Sequence, residues 1–306
     1  MRAFVEMRLA TLGALPGFRG GLAAAEVVGR LHARGEAHGL VTVRRAGLGQ
    51  LVYFRDPETW YGEPAVIAFI DVLPGHDGLA FVLDAIDRHA AALDATTFMQ
   101  VAPDERLLEG LVSRGFGLDS VLLGGAPRRA AARLGAVRAP RGLRLVPTRG
   151  RARLAHDVSA IHATVFGSEP QFCWFGAYPR HLHQVRQTLL DDRGHHAILD
   201  GANVIGHLGV DVRDDPAWGR TAGLDLVLLP EHRGRGLARW LYREALDVMI
   251  SEGAVLMKGG TAQPAVLHLA RELERPWIGF NIRRGTHFPP EHFLRFRPTP
   301  PAILDA

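Results

Sequence analysis

Arg233, Gly234, Arg235 and Gly236 stand together just after the apolar run Leu226-Val227-Leu228-Leu229-Pro230. A basic, glycine-rich turn of this kind can bind a phosphate or pyrophosphate. Its successive N–H groups point outward, and the N-terminus of a following helix adds partial positive charge. Glycine lets the anion approach without a Cβ in the way. Leu237, Ala238 and Arg239, followed by Trp240, Leu241 and Tyr242, read as the opening of that helix. Neither G-x-x-x-x-G-K-[ST] nor G-x-G-x-x-G occurs, so the turn is not a Walker loop or a dinucleotide fingerprint.

Other residues could move protons or hold an acceptor. Asp225 interrupts the run "LDLVLL" and is the only acid on that strand before Pro230. A carboxyl there is either a base at a cleft or a surface partner for arginine. His268 is the candidate acid or proton relay, with a solvated helix face as its ordinary reading, and His207 is open to the same two readings. Phe172, Trp174, Phe175 and Tyr178 crowd into seven residues. They either stack a flat or cationic acceptor or pack a loop; Trp174 and Tyr178 are the preferred acceptor contacts. Cys173 is the only cysteine, so neither an intrachain disulfide nor a cysteine-rich metal site is available, and no metal site is expected.

The elements that must position these residues are written twice. Val72-Leu73-Pro74-Gly75-His76-Asp77-Gly78-Leu79-Ala80 precedes a helical run to about Ala92, and Leu228-Leu229-Pro230-Glu231-His232 opens the matching stretch to about Ile250. A strand-like segment follows each, 96–101 and 254–259. A helix comes next, 104–114 and 264–274, and then a Gly-Phe pair, Gly115-Phe116 and Gly279-Phe280. The second half begins with a strand at 143–146. A helix over 152–166 has Leu154, Val158, Ile161 and Val165 on one face. A second helix over 180–190 and a hairpin with its turn at 200–203 precede the strand at 222–229. Residues 126–142, rich in Arg, Ala, Pro and Gly, read as a linker, with a packed helix over 127–134 as the alternative.

The strand–turn–helix around Arg233 resembles the R-x-x-G-x-[GA] pyrophosphate loop of the GNAT superfamily N-acetyltransferases. Arg233, Gly236 and Ala238 fill its defining positions. The resemblance implies an α/β chain of two tandem GNAT-like domains, each a mixed, mostly antiparallel sheet flanked by helices. Residues 1–125 would be a degenerate N-terminal domain and residues 143–306 the domain that binds acetyl-CoA. The tandem plan is similar to that of the mycothiol synthase family, in which one half is active. In this family the pantetheine arm lies between two splayed strands, which places it along Leu226, Val227 and Leu228. The pyrophosphate would rest on Arg233, Gly234, Arg235, Gly236, Leu237, Ala238 and Arg239. The first half has a loop two residues shorter, lacks both arginines and carries Asp77 there, so it is expected not to bind CoA in the usual way.

The same resemblance exposes two departures. Many members carry a glutamate base eight residues before the proline, which is Ala222 here. Many carry a tyrosine acid seven residues after an asparagine; if Gln263 matches the asparagine, that position is Ala270. Asp225 as base and His268 as acid are the substitutes. A regular strand points Asp225 and Ala222 to opposite faces, so only a bulge between them would bring Asp225 round.

Composition sets the outer bounds. With 306 residues, 47% hydrophobic and 22% charged, the chain has a folded core, and no apolar stretch is long enough to span a bilayer. With no clear signal region, a cytoplasmic protein is expected. Lys258 is the only lysine among 36 basic residues, a composition that suggests a high-GC bacterial genome. The net charge of +4 is dispersed, which argues against nucleic-acid binding. The expected activity is an acetyl-CoA-dependent N-acetyltransferase acting on a small-molecule amine, as a monomer or homodimer. The alternative is a non-catalytic acyl-CoA-binding or sensing protein.

Overall fold

The computed structural model describes residues 24–60, 63–72, 76–89, 97–101, 105–168, 181–215, 219–261 and 263–284. The first half runs α1 (Ala24–Ala37), β1 (Val41–Arg45), β2 (Gly49–Trp60), β3 (Glu63–Val72), α2 (His76–Arg88), β4 (Thr97–Val101), α3 (Glu105–Val112) and β5 (Phe116–Gly125). Helix α4 (Pro127–Leu134) leads into β6 (Leu143–Pro147), α5 (Ala152–Ser168) and α6 (His181–Asp191). Then come β7 (His195–Asp200), β8 (Asn203–Asp215), β9 (Gly219–Leu228), α7 (Leu237–Ser251), β10 (Leu256–Thr261), α8 (Pro264–Glu272) and β11 (Trp277–Arg284). The order β1-β2-β3-α2-β4-α3-β5 recurs as β7-β8-β9-α7-β10-α8-β11, so the sequence repeat is a repeat of architecture.

The two mixed sheets are continuous. The eleven strands of the described residues join in the order β1-β2-β3-β4-β11-β5-β10-β9-β8-β7-β6. The halves exchange their last strands: β11 pairs with β4 and β5, while β5 pairs with β11 and β10. The cores follow the exchange. Phe280 and Ile282 of β11 and Ala270 of α8, all fully buried, pack with Val82, Ile86, Leu107 and Leu111 of the first half.

Residues 126–142 take the helical reading over Pro127–Leu134. Proline at the first helical position has no N–H to leave unpaired. Ala130, Ala131 and Leu134 share a core with Trp240, Leu241 and Ala245 of α7. Arg129 and Arg133 both reach Glu274, and Arg243 Nη1 donates to the carbonyls of Ala131 and Gly135 at 3.2 and 3.4 Å.

A bulge in the β7–β8 hairpin decides which side chains share a face. Asp200 pairs with Asn203 and Leu199 with Val204, but Ile198 then pairs with Gly206, leaving Ile205 over. A regular ladder would have set His196 opposite His207. The extra residue sets Ala197 opposite His207 and moves His207 to the face of His195 and Ala197. Glycine is required at this step, because a Cβ on Gly206 would lie 2.4 Å from the Val227 carbonyl oxygen. Gly206→Ala is therefore expected to force β8 and β9 apart and cost about 1–3 kcal/mol, the usual range for overpacking. A lowered thermal midpoint would show it; an unchanged one would mean that the strands yield freely.

The second half has a different packing on each face of its sheet. Ile198, Ile205, Leu208, Val210 and Ala222 pack on α7 and α4. On the other face, Ala155 and Val158 of α5 and Leu189 of α6 pack on Ala197 and Leu199, and Ile161 and Val165 pack on Val227.

Candidate active site

Strands β9 and β10 begin parallel and then part. Their ladder consists of Thr221 with Leu256 and Ala222 with Met257, after which β10 continues against β5 alone. Among the described residues the edge of β9 from Gly223 to Leu228 thus has no partner on the β10 side, although β8 pairs with it throughout. An extended polar chain can complete this ladder as a further strand would.

The glycine-rich turn lies at the end of that notch. Pro230–His232 forms one 3-10 turn, and Arg233 Nε donates to the Leu228 carbonyl at 3.0 Å, holding the turn to the strand end. Gly234 and Gly236 have φ of 72° and 76°, left-handed backbone that suits glycine. Gly236 is the residue before α7, and no side chain among the described residues caps the helix. The first N–H groups of α7 therefore meet a ligand or solvent. Space is open around both glycines. Arg235 turns toward His232 and Asp200, and Arg239 pairs with Glu272.

On the face covered by α5 and α6, four side chains from four elements meet. His195 Nδ1 lies 3.0 Å from His207 Nε2, and His207 Nδ1 lies 3.1 Å from His162 Nε2. Asp225 Oδ2 is 3.4 Å from His207 Nδ1 and 3.9 Å from His162 Nε2. His195 Nε2 faces Asp192 Oδ2 at 3.9 Å. The His162 and His207 side chains are 2% and 1% exposed, whereas that of Asp225 is 49% exposed. A cavity of about 170 Å³ opens here, lined by Gln184 and Thr188 of α6 together with His195, His207 and Asp225. Dehydration works to raise the Asp225 carboxyl, but the His207 hydrogen bond and the charges of His162, His207 and His195 outweigh it. The carboxyl is held well below the usual carboxylate range. Burial, then the neighbouring His207, pushes His195 down. Nε2 of His162, Nδ1 of His207 and the Asp225 carboxylate could also share a metal ion, since these atoms lie within 4.8 Å of one another.

Residues 164–273 match the family model "Acetyltransferase (GNAT) family". They belong to the GNAT family. The stretch contains the notch, the glycine-rich turn, His207 and Asp225, and stops before β11. The chain matches no curated protein. Among solved structures it is similar to a GCN5-related N-acetyltransferase from Kribbella flavida, at 16% identity and a TM-score of 0.46. That match covers 86% of this chain and 94% of the other. It is also similar to a tandem GNAT protein from the clavulanic acid biosynthesis pathway, at 20% identity and a TM-score of 0.44, covering 91% and 92%. A GCN5-related N-acetyltransferase from Sphaerobacter thermophilus matches at 12% identity and a TM-score of 0.43, covering 88% and 96%.

Within the GNAT domain the candidate residues separate. Leu226, Val227 and Leu228 lie on the unpartnered edge of β9, and residues 233–239 form the turn and first helical turn beyond it. Asp225 does not reach the face of Ala222: β9 stays in regular register with β8 from Gly219 to Leu228, without the bulge that this required. His268 stands with its side chain 76% exposed on α8, 3.2 Å from Glu272, and takes no part in the cluster around Asp225. Its solvated reading is the one that this placement fits. Ala222 and Ala270 are both fully buried among apolar side chains. Trp174 and Tyr178 lie outside the described residues, as does the loop at 73–75 in the first half. Asp77 is in the first turn of α2, a carboxylate at the position that an anion would need. No helix among the described residues is long and apolar enough to cross a membrane.

His162 and His195 were missed. Their signal is a polar residue on an apolar face: His162 follows Ile161 on the buried side of α5, and His195 shares its face with Ala197 and Leu199.

Proposed function

We propose that the chain is an acetyl-CoA-dependent N-acetyltransferase that acts on a small-molecule amine. Residues 143–306 carry the activity, and residues 1–125 form a degenerate partner. The observation that supports this is the parting of β9 and β10 beside the uncapped N-terminus of α7. The pantetheine arm bonds along the backbone of Leu226, Val227 and Leu228. The pyrophosphate rests on the N–H groups and arginines of residues 233–239, where donors and the helix dipole both favour an anion. Trp174 and Tyr178 are the acceptor contacts of this reading.

The reaction is nucleophilic acyl transfer. The amine nitrogen attacks the thioester carbonyl carbon, the C–S bond breaks, and CoA leaves as the thiol once a proton has moved from nitrogen to sulfur. Holding the two reactants in line supplies much of the acceleration. Asp225 and His268 are not given the base and acid roles, for the reasons of placement above.

One observation favours the alternative of an acyl-CoA-binding protein without turnover: Ala222, and Ala270 if Gln263 matches the family asparagine, put buried alanines at the positions for proton transfer. Steady-state thiol release from acetyl-CoA with a panel of small amines separates the readings. Amine-dependent release is expected. Tight acetyl-CoA binding with no release above the rate without amine would decide for the binding protein.

A further inference from the structure

We propose that His162 Nε2, His207 Nδ1 and Asp225 Oδ2 form a binding site for one zinc-class divalent ion, with a fourth position open to the cavity under α6. This inference rests on donor geometry and stands whether or not the chain transfers acetyl groups. Three elements deliver one donor each: α5, β8 and β9. Their pairwise distances are 3.1, 3.4 and 3.9 Å. A tetrahedral zinc ion about 2.0–2.1 Å from its ligands sets neighbouring donor atoms about 3.3 Å apart. The two spacings from His207 already match. The third closes if the Asp225 carboxylate turns by about 0.6 Å toward His162, and that side chain is half exposed.

The surroundings of His207 are those of a metal ligand. A ligating imidazole needs its second nitrogen held by an acceptor, which fixes the tautomer and aims the lone pair. When His207 Nε2–H donates to His195 Nδ1, His207 Nδ1 keeps its lone pair for the ion. His195 then carries its own proton on Nε2, which faces the Asp192 carboxylate. The chain Asp192–His195–His207 thus ends on the ion. Two imidazoles and a carboxylate suit zinc in ligand type, and three protein ligands with one open position is the arrangement of reactive rather than closed structural zinc sites. Gln184 and Thr188 line the open side. Without an ion, one proton shared between the two imidazoles would account for the same contacts.

The full chain, stripped with a chelator and desalted, is titrated with Zn²⁺ by calorimetry and with Co²⁺ by visible absorption. One zinc per chain is expected, and cobalt is expected to give the intense d–d bands of four-coordination. Asp225→Asn leaves the buried histidines in place, so it tests the site without endangering the fold; it should remove the stoichiometric binding. His195→Ala should weaken it by roughly 10–100-fold, the usual cost of losing a partner of a metal-bound histidine. His156→Gln, on the exposed side of α5, should change nothing. Far-UV circular dichroism confirms that each variant is folded. No stoichiometric binding by the wild-type chain would overturn the proposal, leaving the proton as the only cation of the cluster. Binding that survives Asp225→Asn at full affinity would overturn it too, as adventitious zinc on other histidines.

Discussion

Replacing Gly236 by valine is expected to raise the Kd for acetyl-CoA by roughly 100-fold or more, a loss of about 2.8 kcal/mol. The residue stands at φ 76°, ψ 3°, immediately before the first turn of α7. A β-branched side chain in left-handed backbone costs about 1–2 kcal/mol, so the turn relaxes away from this shape. The N–H groups then no longer converge on one anion, and the helix terminus loses its aim. The fold should survive, because a Cβ at this position meets no atom within 4 Å. Calorimetry with acetyl-CoA, beside a thermal melt, separates the two effects. A variant that keeps wild-type affinity would mean that the pyrophosphate lies elsewhere.

Phe280→Ala should destabilise the whole chain by roughly 3–5 kcal/mol, the range for emptying a buried aromatic site. Phe280 belongs to the second half by sequence but pairs with Val101 of β4 and Val121 of β5, and it is fully buried in the core of the first half. The exchange of β5 and β11 therefore couples the halves. Calorimetric unfolding should show one cooperative transition moved to lower temperature. Two separate transitions with only one displaced would show that the halves unfold independently.

The repeat was legible because it is local. The Leu-Pro-x-His turn marks the strand end, the helix follows at its own period, and Gly-Phe marks the start of the last strand. The exchange of those last strands was not legible. A strand such as "SVLLGG" of β5 or "WIGFNI" of β11 reads as apolar whichever neighbour it takes, since the alternation of faces says nothing about pairing partner. The anion turn could be read because its glycines, arginines and flanking strand are contiguous. The histidine cluster could not, since His162 and His207 are 45 residues apart and meet only through the packing of α5 on β8. His195 and His207 share a hairpin, but a regular ladder would have placed His207 beside His196. The unpaired Ile205 reverses the face, and a single extra residue leaves no periodic trace. Asp225 could be singled out as a lone acid on an apolar strand, but the sequence did not show the histidines that stand beside it.

The central claim is that acyl-CoA is bound in the second half alone. The first half has the same parting of strands, since β3 and β4 pair only through Val66–Ala68 and Thr97–Met99. Yet α2 opens with Asp77 in its first turn, where α7 has two glycines and three arginines close by. Isothermal titration of the full chain with acetyl-CoA tests this most directly. The expected result is a stoichiometry of one per chain, lost in Gly236→Val. A stoichiometry of two per chain, or one that Gly236→Val leaves intact, would contradict the account.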